Sequence, residues 1–176
     1  MPDAGAMRTV TLTDEAGNDI GTCDVLEAHT GEGKLHRAFS VYVFRSGRRE
    51  ILIQRRSGKK MLWPMIWANT CCSQPFENES AIEAGTRRLR EEFGFECPLR
   101  EDKAYVYRAV DPRGAGVEHE HVTMLTGDDP AQPPNPDPEE IAEWKWIDID
   151  ELRADMATHP DAYAPWFHLG LKLLLP

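Results

Sequence analysis

Three groups of residues in this 176-residue chain have types and spacings that could do chemistry. The first runs Ser73-x5-Glu79-x7-Arg87-Arg88-Leu89-Arg90-Glu91-Glu92-Phe93-Gly94-Phe95. Positions 88 and 92 are four apart and share one face of a helix. Carboxylates such as Glu92 on that face suit a hard cation such as Mg²⁺. Arg88 adds a cation to the same face. The alternative is a plain solvated helix, common for Arg-Glu runs. In the second group, Glu118 and Glu120 alternate within a strand-like run, so both carboxylates lie on one side and His119 faces away. In the third, adjacent Cys71 and Cys72 point to opposite faces if the chain there is extended, and at most one of them enters any given pocket. Otherwise they are two small buried apolar residues.

These groups need a scaffold. Strand-like runs occur at Thr9 to Thr13 and Asp19 to Leu26, with Ala16-Gly17-Asn18 turning between them as a hairpin. Arg37 to Phe44 alternates around Ala38, Ser40, Tyr42 and Phe44, and Ser46-Gly47 leads it into an apolar strand at Glu50 to Gln54. The clearest helix is Ser80 to Phe93: Ile82, Leu89 and Phe93 share a face, Ser80 with Glu83 forms a capping-box pattern, and Gly94 stops it. Further strands are expected at Ala104 to Ala109, Glu118 to Leu125 and Glu143 to Ile147, with helices near Asp148 to Ala157 and Pro165 to Leu174. Gly127 to Glu140, rich in Pro and Asp, reads as an exposed loop. Strands mixed with flanking helices predict an α/β (α+β) sandwich with a mixed sheet.

Composition bounds the function. The length and 41% hydrophobic content suit a single domain over residues 1–176 with a core near 36–150. A formal net charge of −10 argues against a general nucleic-acid surface while leaving room for local basic pockets. No run reaches the roughly 18 apolar residues of a membrane helix, and Met1 to Val10 lacks the apolar stretch of a secretory leader. A cytoplasmic protein, monomeric or weakly dimeric, is expected. The four cysteines show no CxxC spacing, so neither a disulfide framework nor a structural zinc site is predicted.

The first spacing resembles the Nudix box, G-x5-E-x7-R-E-U-x-E-E-x-G-U with U apolar, except that Ser73 replaces the first Gly and Arg88 the first Glu. Two longer segments resemble a particular branch of that superfamily, the type I isopentenyl-diphosphate Δ-isomerases. Leu35-His36-Arg37-Ala38-Phe39-Ser40-Val41 is similar to their LHRAFS-like segment. Trp67-Ala68-Asn69-Thr70-Cys71-Cys72-Ser73-Gln74-Pro75 is similar to their TNTCCSHP-like segment. Glu27-Ala28-His29-Thr30, Arg56 to Lys60 with Pro64 and Trp67, Tyr107-Arg108-Ala109, Glu118-His119-Glu120 and Pro165-Trp166 continue the match in family order from about residue 9 to 170.

That resemblance implies a Nudix-type mixed sheet between helices and an enzyme moving a double bond between isopentenyl and dimethylallyl diphosphate. It implies a metal bound by His29, His36, Glu118 and Glu120, with Gln74 where the family has a third His. The ion would be Mn²⁺, Zn²⁺ or Mg²⁺. Cys72 and Glu120 match the proton-transfer pair, with Tyr107 near the carboxylate and Trp166 facing the carbocation. Arg56 and Lys60 match the basic pair for the prenyl diphosphate. Arg88 and Ser73 are further candidates there, and Glu92 would bind a Mg²⁺ arriving with the substrate. Two departures stand out: Gln74, an amide in place of imidazole, and Met65, in place of the Gly that commonly follows Pro64. Two rivals stay in view: a Nudix diphosphate hydrolase, supported by Glu91 and Glu92 and disfavoured by Arg88, and a catalytically silent diphosphate-binding paralogue, supported by Gln74.

Overall fold

A computed structural model describes residues 8–176; most of the Met1–Val10 leader reading falls outside that span. The strand least able to face water sets the architecture. Strand β3 (His36–Arg45) is buried at nearly every position, as expected for a strand covered on both faces. It pairs in parallel with β8 (Val117–Asp128), from His36 opposite Glu120 to Phe44 opposite Asp128. Strand β7 (Leu99–Val110) runs antiparallel along the far side of β8. On its other side β3 meets β4 (Glu50–Arg56) only at Phe44–Ile51 and Arg45–Glu50, then the two diverge. Into that gap comes the segment carrying β5 (Trp67–Ala68), paired with β4, and β6 (Cys71–Ser73), paired with β3. Strand β9 (Ile141–Asp148) lines β4, and the hairpin of β1 (Thr9–Thr13) and β2 (Asp19–Asp24) joins β3 at Leu12–His36.

Strand alternation divides the core in two. One face presents Phe39, Val41, Val43, Leu52 and Leu125 to Leu89 and Phe93 of α2 (Ala81–Phe93). The other presents Tyr42, Phe44, Ile51, Ile53 and Met124 to α3 (Ile149–Thr158) and to Trp166, Phe167 and Leu171 of α4 (Pro165–Leu174). Gly170 lets α4 sit this close: a Cβ there would lie 1.8 Å from Tyr42 Oη. The expected α+β sandwich with a mixed sheet is what forms.

Helix α2 begins and ends as its sequence predicts. Ser80 and Glu83 form the reciprocal capping box, and Gly94 closes the helix at φ 69°; such a cap contributes about 1 kcal/mol. The expected strand Asp19 to Leu26 is shorter than read. Asp24 accepts hydrogen bonds from the amides of Leu26 and Glu27, turning the chain into the one-turn helix α1 (Val25–Ala28). At the other end, pairing with β3 carries β8 through Gly127 and Asp128, the first residues of the expected loop.

Candidate active site

The α4 face of the sheet is apolar at one end of β3 and polar at the other. His36 and Ser40 point to this face from β3. Glu118 and Glu120 join them from β8, Tyr105 and Tyr107 from β7, and Cys72 from β6, because Tyr107 pairs with Glu120 and Ser40 with Cys72. Trp166 closes the pocket from α4. The cavity, about 150 Å³, is lined by Arg56, Lys60, Cys72, Ser73, Gln74 and Arg88, together with Arg8, Tyr107, Glu118, Glu120, Glu140 and Trp166.

At its floor, ligand-type atoms of His29, His36, Glu118 and Glu120 all lie within 4.8 Å of one another, each side chain buried. His29 caps α1. Its carbonyl accepts the Val117 amide at 2.8 Å, and Gly116 permits the approach, since a Cβ there would sit 2.5 Å from that oxygen. Both rings turn Nδ1 to a backbone carbonyl, His29 to Val25 at 2.7 Å and His36 to Lys34 at 2.8 Å. This leaves Nε2 of each ring facing the carboxylates, the orientation in which metal-binding imidazoles are held. His29 Nε2 lies 3.3 Å from Glu118, and His36 Nε2 lies 3.5 Å from Glu120. Even so, His36 Nε2 and Glu118 Oε2 are buried without a hydrogen bond of good geometry. Buried polar atoms normally have partners. Two such orphans within one set of two imidazoles and two carboxylates fit a divalent ion. Burial and the neighbouring Glu120 raise the Glu118 pKa. Burial alone would lower the His29 pKa, but Glu118 overrides it and holds the ring up to about 9, so a proton supplies positive charge to the two acids.

Above the floor, Tyr107 donates to Glu120 Oε2 at 3.0 Å and Gln74 Nε2 donates to Oε1 at 3.1 Å. Cys72 Sγ is 3.2 Å from Ser40 Oγ and donates to Asn69 Oδ1 at 3.1 Å; the same Asn69 oxygen accepts from Trp166 Nε1 at 3.2 Å. Asn69 is itself fixed, donating to the carbonyls of Val41 and Cys71. Burial pushes the Cys72 pKa up to about 12 against the hydrogen bonds of Ser40 and Asn69, so the thiol stays neutral. Cys71 faces the other way, buried against Glu92 at 3.5 Å.

The pocket mouth is cationic. Arg56 donates to the carbonyls of Trp63 and Leu62, and its Cζ lies 5.3 Å from the Trp166 ring. Lys60 pairs with Glu140, and Arg88 reaches the same carboxylate at 3.3 Å. Arg88 also donates to Glu92 at 2.6 Å, while Gln54 donates to the other Glu92 oxygen at 3.0 Å. Glu92 is therefore buried beneath Arg88 and does not line the cavity. Met65 holds φ 61°, a left-handed conformation that favours glycine.

Among the residues expected to act, Arg56, Lys60, Cys72, Ser73, Gln74, Arg88, Tyr107, Glu118, Glu120 and Trp166 share one cavity, with His29 and His36 at its floor. The sequence reading missed four others. Ser40 and Asn69 lie inside the segments that carried the family resemblance, where only the neighbouring His36 and Cys72 drew attention. Arg8 and Glu140 are isolated charges, and only folding brings them together.

The NUDIX domain family model matches residues 34–167. A protein of Nocardia farcinica named Isopentenyl-diphosphate Delta-isomerase is 46% identical over 166 residues, covering 93% of both chains. One of the same name from Halorhodospira halophila is 40% identical over 161 residues, covering 92% of this chain and 91% of its own. The crystal structure of DR0079 from Deinococcus radiodurans superposes with a TM-score of 0.75 over 96% of this chain and 100% of its own, at 19% identity. A MutT protein from Methanosarcina mazei superposes at 0.61 over 78% and 89%, at 14% identity. These two likenesses are of fold alone.

Proposed function

We infer that this chain, which belongs to the isopentenyl-diphosphate Delta-isomerase family of Nudix proteins, interconverts isopentenyl and dimethylallyl diphosphate by moving a proton on and off carbon. The observation that carries the reading is the convergence of Cys72, Glu120, Tyr107 and Trp166 on one buried pocket. A metal-type cluster lies at its floor and cations at its mouth. An unactivated alkene must gain a proton at its terminal carbon, pass through a tertiary carbocation, and lose a proton from the adjacent carbon. That requires an acid and a base, both kept from water.

Cys72 and Glu120 fill these roles and hold one transferable proton between them, resting on sulfur because burial keeps the thiol neutral. Tyr107 fixes the Glu120 carboxylate through its 3.0 Å hydrogen bond. Trp166 offers an aromatic face to the carbocation without a nucleophile that could trap it. The prenyl diphosphate meets Arg56, Lys60, Arg88 and the Ser73 hydroxyl.

His29, His36, Glu118 and Glu120 would hold the divalent ion, with Gln74 beside them. When bound, that ion supplies positive charge that offsets two buried carboxylates. Mixed imidazole and carboxylate donors suit Mn²⁺ or Zn²⁺, while the amide of Gln74 moves the site toward Mg²⁺. The resemblance gives Glu92 a Mg²⁺ arriving with the substrate, but both of its oxygens are taken by Arg88 and Gln54 and it does not line the cavity.

Product analysis is the test. Incubation with isopentenyl diphosphate and a divalent metal should yield dimethylallyl diphosphate with no release of phosphate. Released phosphate would make the chain a hydrolase, and unchanged substrate would make it a silent binder. Among the described residues no helix is long and apolar enough to cross a membrane.

A further inference from the structure

The pocket mouth contains a cation that neither the Nudix-box spacing nor the isomerase-like segments led to. Arg8, immediately before β1, is exposed as a residue but turns its guanidinium to the pocket mouth, where Nη2 donates to Ser73 Oγ at 3.0 Å. Its backbone is fixed as well, because its carbonyl accepts the Val25 amide at 2.8 Å where β2 gives way to α1. The guanidinium thus lines the same cavity as Arg56, Lys60 and Arg88. Among the described residues no carboxylate comes within 4 Å of it, whereas Arg88 is paired with Glu91, Glu92 and Glu140, and Lys60 with Glu140.

A cation turned into a pocket of other cations is unfavourable unless an anion joins them. Partial burial of the Arg8 guanidinium and repulsion from Arg88 and Arg87 outweigh the support of Glu140 and Glu91, lowering its pKa. The pocket has an imbalance that an anionic ligand relieves. A diphosphate carries several acceptor oxygens, and the flat guanidinium fork matches phosphate oxygens two at a time.

We propose that Arg8 is a substrate-binding residue, the N-terminal cation of the diphosphate subsite, aimed by Ser73 and acting beside Arg56, Lys60 and Arg88. The assignment rests on the reading of this pocket as a prenyl-diphosphate site. It brings the segment just ahead of β1, which precedes the Nudix match, to that site as a fourth cation beside the three within the match. It also gives Ser73 a role, since its hydroxyl orients Arg8 at the mouth.

The test is calorimetric titration of the folded, full-length protein with inorganic diphosphate, repeated with isopentenyl diphosphate. Arg8→Gln should weaken both by about tenfold, equivalent to about 1.4 kcal/mol, and Arg8→Lys by less, because it keeps the charge and loses the fork. Arg49→Gln is the charge control, since this side chain is 81% exposed in the β3–β4 turn; it should bind as the natural protein does. Unchanged diphosphate affinity in Arg8→Gln, with Arg56→Ala and Lys60→Ala weakened, overturns the assignment of Arg8 alone. Equal losses in Arg8→Gln and Arg49→Gln also overturn it, reducing the effect to net charge. Unchanged affinity in all of Arg8→Gln, Arg56→Ala and Lys60→Ala overturns the diphosphate site and the assignment with it.

Discussion

The sheet carries a cysteine–glutamate pair on each face, and the two are built to opposite ends. On the α2 face, Cys71 and Glu92 are buried together, and every Glu92 oxygen has a protein donor: Arg88 at 2.6 Å on one and Gln54 at 3.0 Å on the other. On the α4 face, Cys72 and Glu120 border a cavity, and beside them His36 Nε2 and Glu118 Oε2 each face only an ion-pair neighbour, without a hydrogen bond of good geometry. A satisfied buried charge is structural, since its desolvation is offset within the protein. An unsatisfied one marks a place where something else binds. The helix with the best-known carboxylate pattern is therefore the quieter region, and the group that could hold an ion lies outside the box, on β3, β8 and the end of α1.

Exchanging the two thiols breaks this comparison most directly. Cys72→Ala removes the thiol proposed to carry the proton, and turnover should fall about a thousandfold, within the range for a lost general acid or base. Cys71→Ala removes a small buried group that faces α2 and should keep most of the activity. Initial rates with isopentenyl diphosphate, on variants with matched circular dichroism, decide it. Equal losses would mean that the two faces do not divide structure from chemistry.

The carboxylates divide in the same way. Glu92→Gln weakens hydrogen bonds to a buried guanidinium, so the urea midpoint should drop by the equivalent of roughly 1.5–3 kcal/mol, with affinity for the resident metal unchanged. Glu118→Gln should do the converse. It removes a carboxylate whose charge is already disfavoured by burial and by Glu120, so metal-free stability should hold or rise while metal affinity falls at least tenfold. Metal titration and urea unfolding on the same two variants read both arms. A loss of metal affinity in Glu92→Gln would move the resident site toward the box.

Most of the scaffold was legible because its signals are local. Alternation along Arg37 to Phe44, the Ser80–Glu83 box and Gly94 each specify their element within a few residues. The first hairpin was misjudged at its end because Leu26 looked like one more apolar strand residue, whereas Asp24 capping two amides bends the chain there. In the site, alternation alone put Glu118 and Glu120 on one side and parted Cys71 from Cys72. What it could not supply was contact between distant segments. Nothing near Arg8 in sequence announces Ser73, 65 residues on, and nothing near Glu140 announces Lys60. Arg88 and Glu92 were both read as ligands to the substrate end. Their spacing allows that, and it equally allows the ion pair they form with each other.

The finest discriminator lies at the edge of the metal cluster, in the residue that departs from the family pattern. As placed, Gln74 turns its amide nitrogen to Glu120 Oε1 at 3.1 Å. It acts on a ligand and withdraws electron density from the carboxylate that should hold the ion. Two imidazoles and two carboxylates are enough to bind a divalent cation, but the next position falls to an amide or to water. Gln74→His would put a neutral nitrogen donor there. Borderline metals gain most from imidazole and hard ones least, so affinity should rise about tenfold for Zn²⁺ or Mn²⁺ and hardly at all for Mg²⁺. Parallel titrations of the natural protein and the variant with each metal measure the difference. A uniform gain for all three would point to release of Glu120 from the amide rather than to a new ligand. No gain for any of them would put position 74 outside the metal's reach, leaving the four buried residues of the α4 face as the whole site.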